Sequence, residues 1–273
     1  MQHDKEAEPN KFDGYYEKIY AQEEAKLKVS EHELYEPEKK VFDTEEAKFA
    51  GSNSLSNLSA KLVEIAGSAN VSCYINAKTL KASGSLKVGG DITAEEIEAS
   101  GSIEVIGAVK CINAEFSGSC LVDSGFWVKE KLVFRGSAKS SYIRCGGETS
   151  ISGHLTVESV NSKKVVIKGG GETKVILSNV CIINTAGSGA AGFTLYLGLK
   201  GYNHFRTDRV VATEELSMDR CEARVAAGGI VRIGNKCKIG RVFYTKDCQV
   251  EDKARLDEAP VRLDRIDGST GKD

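Results

Sequence analysis

The sequence predicts an all-β protein, a single-stranded parallel β-helix of roughly triangular cross-section with about 17 residues per turn. Three observations predict it. Gly-Ser pairs recur at a constant interval at Gly67-Ser68, Gly84-Ser85, Gly101-Ser102 and Gly118-Ser119, then one position late at Gly136-Ser137, with further glycines at Gly153, Gly170 and Gly187. Aligned on those glycines, apolar residues fall into columns. The three prolines, Pro9, Pro37 and Pro260, all lie in the flanks. A fixed short period marks a solenoid, in which one turn cannot bury its apolar face alone and neighbours stack to do so. Proline deletes a ladder donor and is expelled from strands flanked on both sides.

The columns supply the packing argument. One holds Val71, Val88, Val105 and Val122; a second holds Ile75, Ile92 and Val109. Others read Ala69, Leu86, Ile103, Cys120; Ala77, Ala94, Cys111, Val128; and Ala82, Ala99, Phe116, Val133. Within a turn the apolar residues sit two apart in short arcs, Leu86–Val88, Ile92–Ala94 and Ile97–Ala99, which is the strand period. Lys87, Thr93 and Glu98 take the outward positions. Three arcs require three corners; Gly89-Gly90 and Gly107 occupy one and the Gly-Ser pairs another.

Four segments follow. Residues 1–50 carry fourteen acidic residues against eight lysines and read as an acidic tail, disordered or transiently helical. Residues 51–66 are either the first coil or a small helical cap; the three-to-four spacing of Leu58, Leu62 and Ile65 favours the helix. The β-helix runs over 67–257, and 258–273 form a second polar tail. Near the C-terminus the period returns as Leu216, Ile233, Val250 and as Val225, Val242; between 136 and 210 the register slips. Leu58 to Leu256 gives on the order of eleven turns and, at ~4.8 Å per strand, a rod about 50 Å long.

Composition narrows the function. Overall charge is −2, which leaves the body near +4 once the tail is removed and provides no basic field for nucleic acid. The eight cysteines show no disulfide spacing, fit a reducing interior and place the protein in the cytoplasm. Cys221 and Cys237 fall one position short of the period, would face opposite ways without a register slip, and are not expected to stack. The N-terminus has no signal-peptide pattern, and no apolar run is long enough to span a bilayer.

Chemical motifs are weak. His3, His32, His154 and His204 lack metal-ligand spacing, and Asp219-Arg220-Cys221-Glu222 reads as a solvated outer face rather than an activated thiol. Gly169-Gly170-Gly171 and Gly187-Ser188-Gly189 open no phosphate-binding helix and read as corners. Gly201–Arg206 is the most aromatic insertion, either a packed loop or an interaction surface. No catalytic, cofactor or metal residues are assigned, and no small-molecule substrate is expected. A hexapeptide acyltransferase is the rival triangular coil. It would need an aliphatic-glycine step at every sixth position, and only Ile233-Gly234 and Ile239-Gly240 keep that step.

The units Gly84-Ser85-Leu86-Lys87-Val88-Gly89-Gly90-Asp91-Ile92 and Gly101-Ser102-Ile103-Glu104-Val105-Ile106-Gly107 resemble those of the bactofilins, polymer-forming cytoskeletal proteins. The resemblance covers roughly 60–135 and, more loosely, 210–256. It implies a right-handed β-helix that assembles end to end into filaments without nucleotide and supports cell shape or the envelope at the inner face of the membrane. The partner would be the chain itself, with envelope or membrane-associated proteins docking on the acidic tail. The coil is longer than a typical bactofilin core, and the tail lacks the short apolar targeting stretch of many members. Exposed strand edges at the coil ends would drive assembly. The candidate interface residues are Leu58, Leu62 and Ile65 at one end and Val242, Phe243, Tyr244 and Val250 at the other. A non-polymerising interaction scaffold is the alternative.

Overall fold

Parallel strands stack turn upon turn. The structure, a computed structural model, describes residues 42–185 and 204–263. In chain order the strands are β1 (Thr44–Leu55), β2 (Leu58–Val71), β3 (Ile75–Val88), β4 (Ile92–Thr93), β5 (Glu96–Val105), β6 (Ala108–Val122), β7 (Gly125–Asn184), β8 (Phe205–Asp219), β9 (Cys221–Ile233), β10 (Lys238–Val250), β11 (Arg255–Leu256) and β12 (Val261–Arg262). No helix occurs among the described residues. Every pairing between these strands is parallel, and the coil makes about 12 turns.

Each regular turn sends six side chains inward, two per side. In one turn these are Ile75 and Ala77, Leu80 and Ala82, Leu86 and Val88, all buried. The next turn repeats them as Ile92 and Ala94, Ile97 and Ala99, Ile103 and Val105. Four of the five columns read from the sequence are the observed stacks. The fifth differs at one rung: an extra residue enters between Val128 and Lys131, opposite Ile112, so Phe134 rather than Val133 lies against Phe116. The aromatic ring needs that shift, since Phe116, Phe126 and Phe134 pack with centroids 5.2–5.6 Å apart and Phe116 stacks face-on with Phe134.

The Gly-Ser corner requires glycine. Gly84 and Gly101 have φ of 116° and 108°, and a Cβ on Gly101 would lie 2.1 Å from the Gly84 carbonyl oxygen. At another corner Asp91 takes the place of backbone. Its Oδ1 accepts from the Ala108 N–H at 2.9 Å and its Oδ2 from Lys110 Nζ at 3.0 Å. Outside, lysine–glutamate pairs one turn apart line the coil, as in Lys87–Glu104 and Lys61–Glu45, both at 2.7 Å.

Several expectations are corrected. The described coil begins at Thr44, inside the segment assigned to the acidic tail, and 51–66 belong to β1, β2 and the bend between them rather than to a helical cap. Leu58 and Ile65 point into the core from different sides of one turn, so their helical spacing is a coincidence of two strand arcs. Gly51 pairs with Gly67 as the first corner of the column. At the other end Val261–Arg262 pair with Phe243–Tyr244, so the coil continues past 257 and Pro260 belongs to its last turn. The glycine below Gly153 is Gly169, not Gly170, and Gly187 lies outside the described residues. Leu216 stacks on Val231 rather than Ile233, and Val242 on Ala226 rather than Val225. Phe205 is no loop residue; it starts β8 and is fully buried. The state expected for residues 1–41, and the polar tail beyond 263, also lie outside the described residues.

Candidate functional site

Among the described residues the ladder of this stack stops at two places. At the N-terminal one, β1 pairs with β2 from Thr44↔Ala60 to Leu55↔Val71, with one position skipped. Its other edge carries no described partner. Ala47, Phe49 and Leu55 continue the inward columns of Val63, Ile65 and Val71 and are only half-buried against the core. Asn53 takes the column of Ala69, and its Nδ2 donates to the Ala50 carbonyl at 3.0 Å. The rim is charged: Glu46–Lys48 at 2.9 Å and Lys48–Glu64 at 3.4 Å. The hydrogen bond to Glu46 holds the Lys48 ammonium above its usual value.

The C-terminal end is less regular. Arg255–Leu256 lie on Lys238–Ile239, and Val261–Arg262 on Phe243–Tyr244. Among the described residues only two of the three sides therefore receive a final rung. On the third, Cys248 and Val250 stack on Val231 and Ile233 and are themselves the last described rung. Val250 is 39% exposed there, and Val261 is 41% exposed. Arg241 Nε donates to Glu258 at 2.7 Å and ties the last turn to the one beneath.

The seven interface residues expected from the sequence separate accordingly. Leu58, Ile65, Val242 and Phe243 are buried under a further turn and do not form end surfaces. Leu62 is half-buried beside Thr79 and Glu46, and Tyr244 is half-buried beneath Arg262. Val250 alone is exposed at an end. The residues missed are Ala47, Phe49 and Leu55 at one end and Ala254 and Leu256 at the other. Two signals point to them: Gly51-Ser52 precedes Gly67-Ser68 by one position less than a full period, and Ile239 precedes Leu256 by a full one.

Cys221 and Cys237 are brought together, against expectation. The turns here are one residue shorter, as the pairing Glu222↔Lys238 shows, so the spacing of the two cysteines is in register. The two sulfurs lie 3.6 Å apart, both buried. Their mutual hydrogen bond, with burial, pushes the Cys221 thiol well up, while the same bond holds Cys237 below its usual value. Burial drives Cys120 and Cys181 up to about 12, which makes them apolar fillers at neutral pH. Glu222, the neighbour of Cys221, faces outward and binds Lys238 at 2.9 Å and His204 at 3.3 Å. The Lys238 hydrogen bond, the largest influence, holds the Glu222 carboxyl below the usual range.

Among the described residues no group of three histidine, cysteine or carboxylate side chains is placed to share a metal ion. An open trough of about 670 Å³ runs along the coil, floored by Ala50, Ala66, Ser83, Ser100 and Ser117. No described helix is long and apolar enough to cross a membrane. The chain matches no protein-family model, no curated protein and no solved structure.

Proposed function

We propose that this protein is a structural scaffold that assembles end to end through its β-helix termini, without nucleotide and without catalysis of its own. The observation that carries the reading is the β1 edge. Its strand of 12 residues has no partner among the described residues on the side away from β2, where the half-buried Ala47, Phe49 and Leu55 lie. Pairing that edge with another chain would satisfy its backbone groups and continue the apolar interior across the junction. The bactofilin-like repeats agree with this reading, as would a cytoplasmic location with envelope proteins docking on the acidic segment.

A second reading is favoured by the C-terminal end, where the last described turn offers only two short rungs and Pro260 supplies no donor. If that end is closed to association, contact between like N-terminal ends stops at a dimer, because an isologous interface closes on itself. Sedimentation velocity and negative-stain microscopy of purified protein, beside Phe49→Asp and Val250→Asp, test both. Filaments abolished by either substitution support end-to-end assembly; dimers lost only with Phe49→Asp support the closed form. A monomer at every concentration refutes both.

A further inference from the structure

A triangular coil has a phase as well as a length, because its chain visits the three sides in a fixed order. β1 provides the first side with Ala47 and Phe49 and, past the Gly51 corner, the second with Asn53 and Leu55. β2 then provides the third with Leu58 and Ala60. The second side can be followed through the molecule, from Leu55 through Val71, Val88, Val105 and Val122 to Ser140. Within β7 the corner before it continues as Gly153 on Gly136 and Gly169 on Gly153, and Gly171 lies on Leu155. The column resumes at Thr173 and passes through Thr207, Ala223 and Ile239 to end at Leu256.

By the same pairings Cys248 and Val250 are the last described rung of the first side, and Val261–Arg262 are that of the third. The described coil therefore starts on the first side and stops on the third. The next arc its spiral calls for is a first-side arc, directly on Cys248 and Val250. A first-side arc is what β1 of another copy carries. The corner that follows matches as well, since Asn53 comes four positions after Phe49 and Ala254 four after Val250.

We propose that a second copy of this chain is the occupant of the first side beyond Val250, seated there by its β1, head to tail and without rotation about the axis. This junction rests on the end-assembly reading and specifies which ends meet and in what register. Ala47 falls on Cys248, Phe49 on Val250 and Leu55 on Leu256. The half-buried Phe49 and Leu55 thereby cover Val250, which is 39% exposed, and the half-buried Leu256, so apolar surface leaves water on both sides of the contact. The ladder across the junction stays parallel, as it is inside the coil. Two like ends would instead meet strand against reversed strand. Pro260 withholds one donor at most, and it lies on the third side, away from the β1 contacts. Each added copy repeats the same contact between unlike surfaces, so growth is directional and does not close.

Two blocked variants test the junction. Phe49→Asp keeps an intact C-terminal end and Val250→Asp an intact N-terminal end; circular dichroism checks that each keeps its strands. Sedimentation velocity should find each alone monomeric and their equimolar mixture a 1:1 dimer that grows no further. Either variant dimerising alone, or a mixture that yields no dimer, overturns the inference. Where the unmutated protein still forms assemblies that Phe49→Asp disrupts, end assembly itself stands. Unmutated protein that is monomeric at every concentration refutes both. A second readout needs no variant: at ~4.8 Å per turn, about 12 turns rise roughly 58 Å. Electron microscopy of unmutated filaments should show that axial repeat. A repeat of roughly 115 Å marks copies of alternating orientation and overturns the inference.

Discussion

Replacing Gly101 by alanine, with Gly51→Ala as its control, tests the corner argument at one methyl group. At Gly101 the backbone has φ of 108°, and the new Cβ would meet the Gly84 carbonyl oxygen at 2.1 Å. Strain from that conformation costs about 1–3 kcal/mol in an L-residue. Relieving the contact to an ordinary ~3.4 Å requires the two turns to part by about 1.3 Å, which breaks the flanking ladder bonds. Two such bonds contribute about 1 kcal/mol each. Alanine returns about 0.4–1 kcal/mol by restricting the unfolded chain. The net loss is about 3–4 kcal/mol. Gly51 has φ of 73° and no atom within 4 Å of the same Cβ, so its alanine costs only the strain, about 1–2 kcal/mol. Solenoid turns interact mainly with their neighbours, and the damage should stay local. Hydrogen exchange of peptides spanning 84–118, with urea unfolding, reads the difference. Two variants equally destabilised to within about 0.5 kcal/mol would refute the close-approach argument, because strain alone would then explain both.

Three further outcomes are expected. Phe126→Ala empties the centre of the three-ring cluster and should cost about 3–5 kcal/mol in urea unfolding, with Phe116 and Phe134 losing their edge contacts. Diamide treatment should join Cys221 to Cys237, seen as a mass loss of two hydrogens and one linked peptide, and Cys221→Ser should abolish it. Burial would raise the Asp91 carboxyl, but the Ala108 N–H and Lys110 prevail and hold it below its usual value. A depressed carboxyl stabilises the fold above its unfolded value, near pH ~4, and that contribution disappears as pH falls through the folded value. Exchange at the Ala108 amide should therefore accelerate on acidification below that point, and Asp91→Asn should remove the pH dependence.

Much of the fold could be read from residue order because each strand arc reports its own facing. Val71, Val88, Val105 and Val122 announce one inward column, and the glycines between them announce the corner. The candidate ends were read less well. Leu58, Leu62 and Ile65 carry a helical spacing only because two arcs meet at a bend, and the inward residues of β1 are diluted by Thr44 and Asn53. At the C-terminus, Phe243 looked terminal because the polar segment after it hides the rungs at Leu256 and Val261.

Residue order by itself determined the architecture: a short fixed repeat of alternating apolar positions admits strand, and strands too short to bury a face alone must stack. Tertiary structure decided which residue lies on which. Turns of unequal length coexist, and bulges absorb the difference at the corners without disturbing the inward pattern. After one such slip the period no longer counts rungs, which is why Phe134 displaced Val133 and why Cys237 met Cys221.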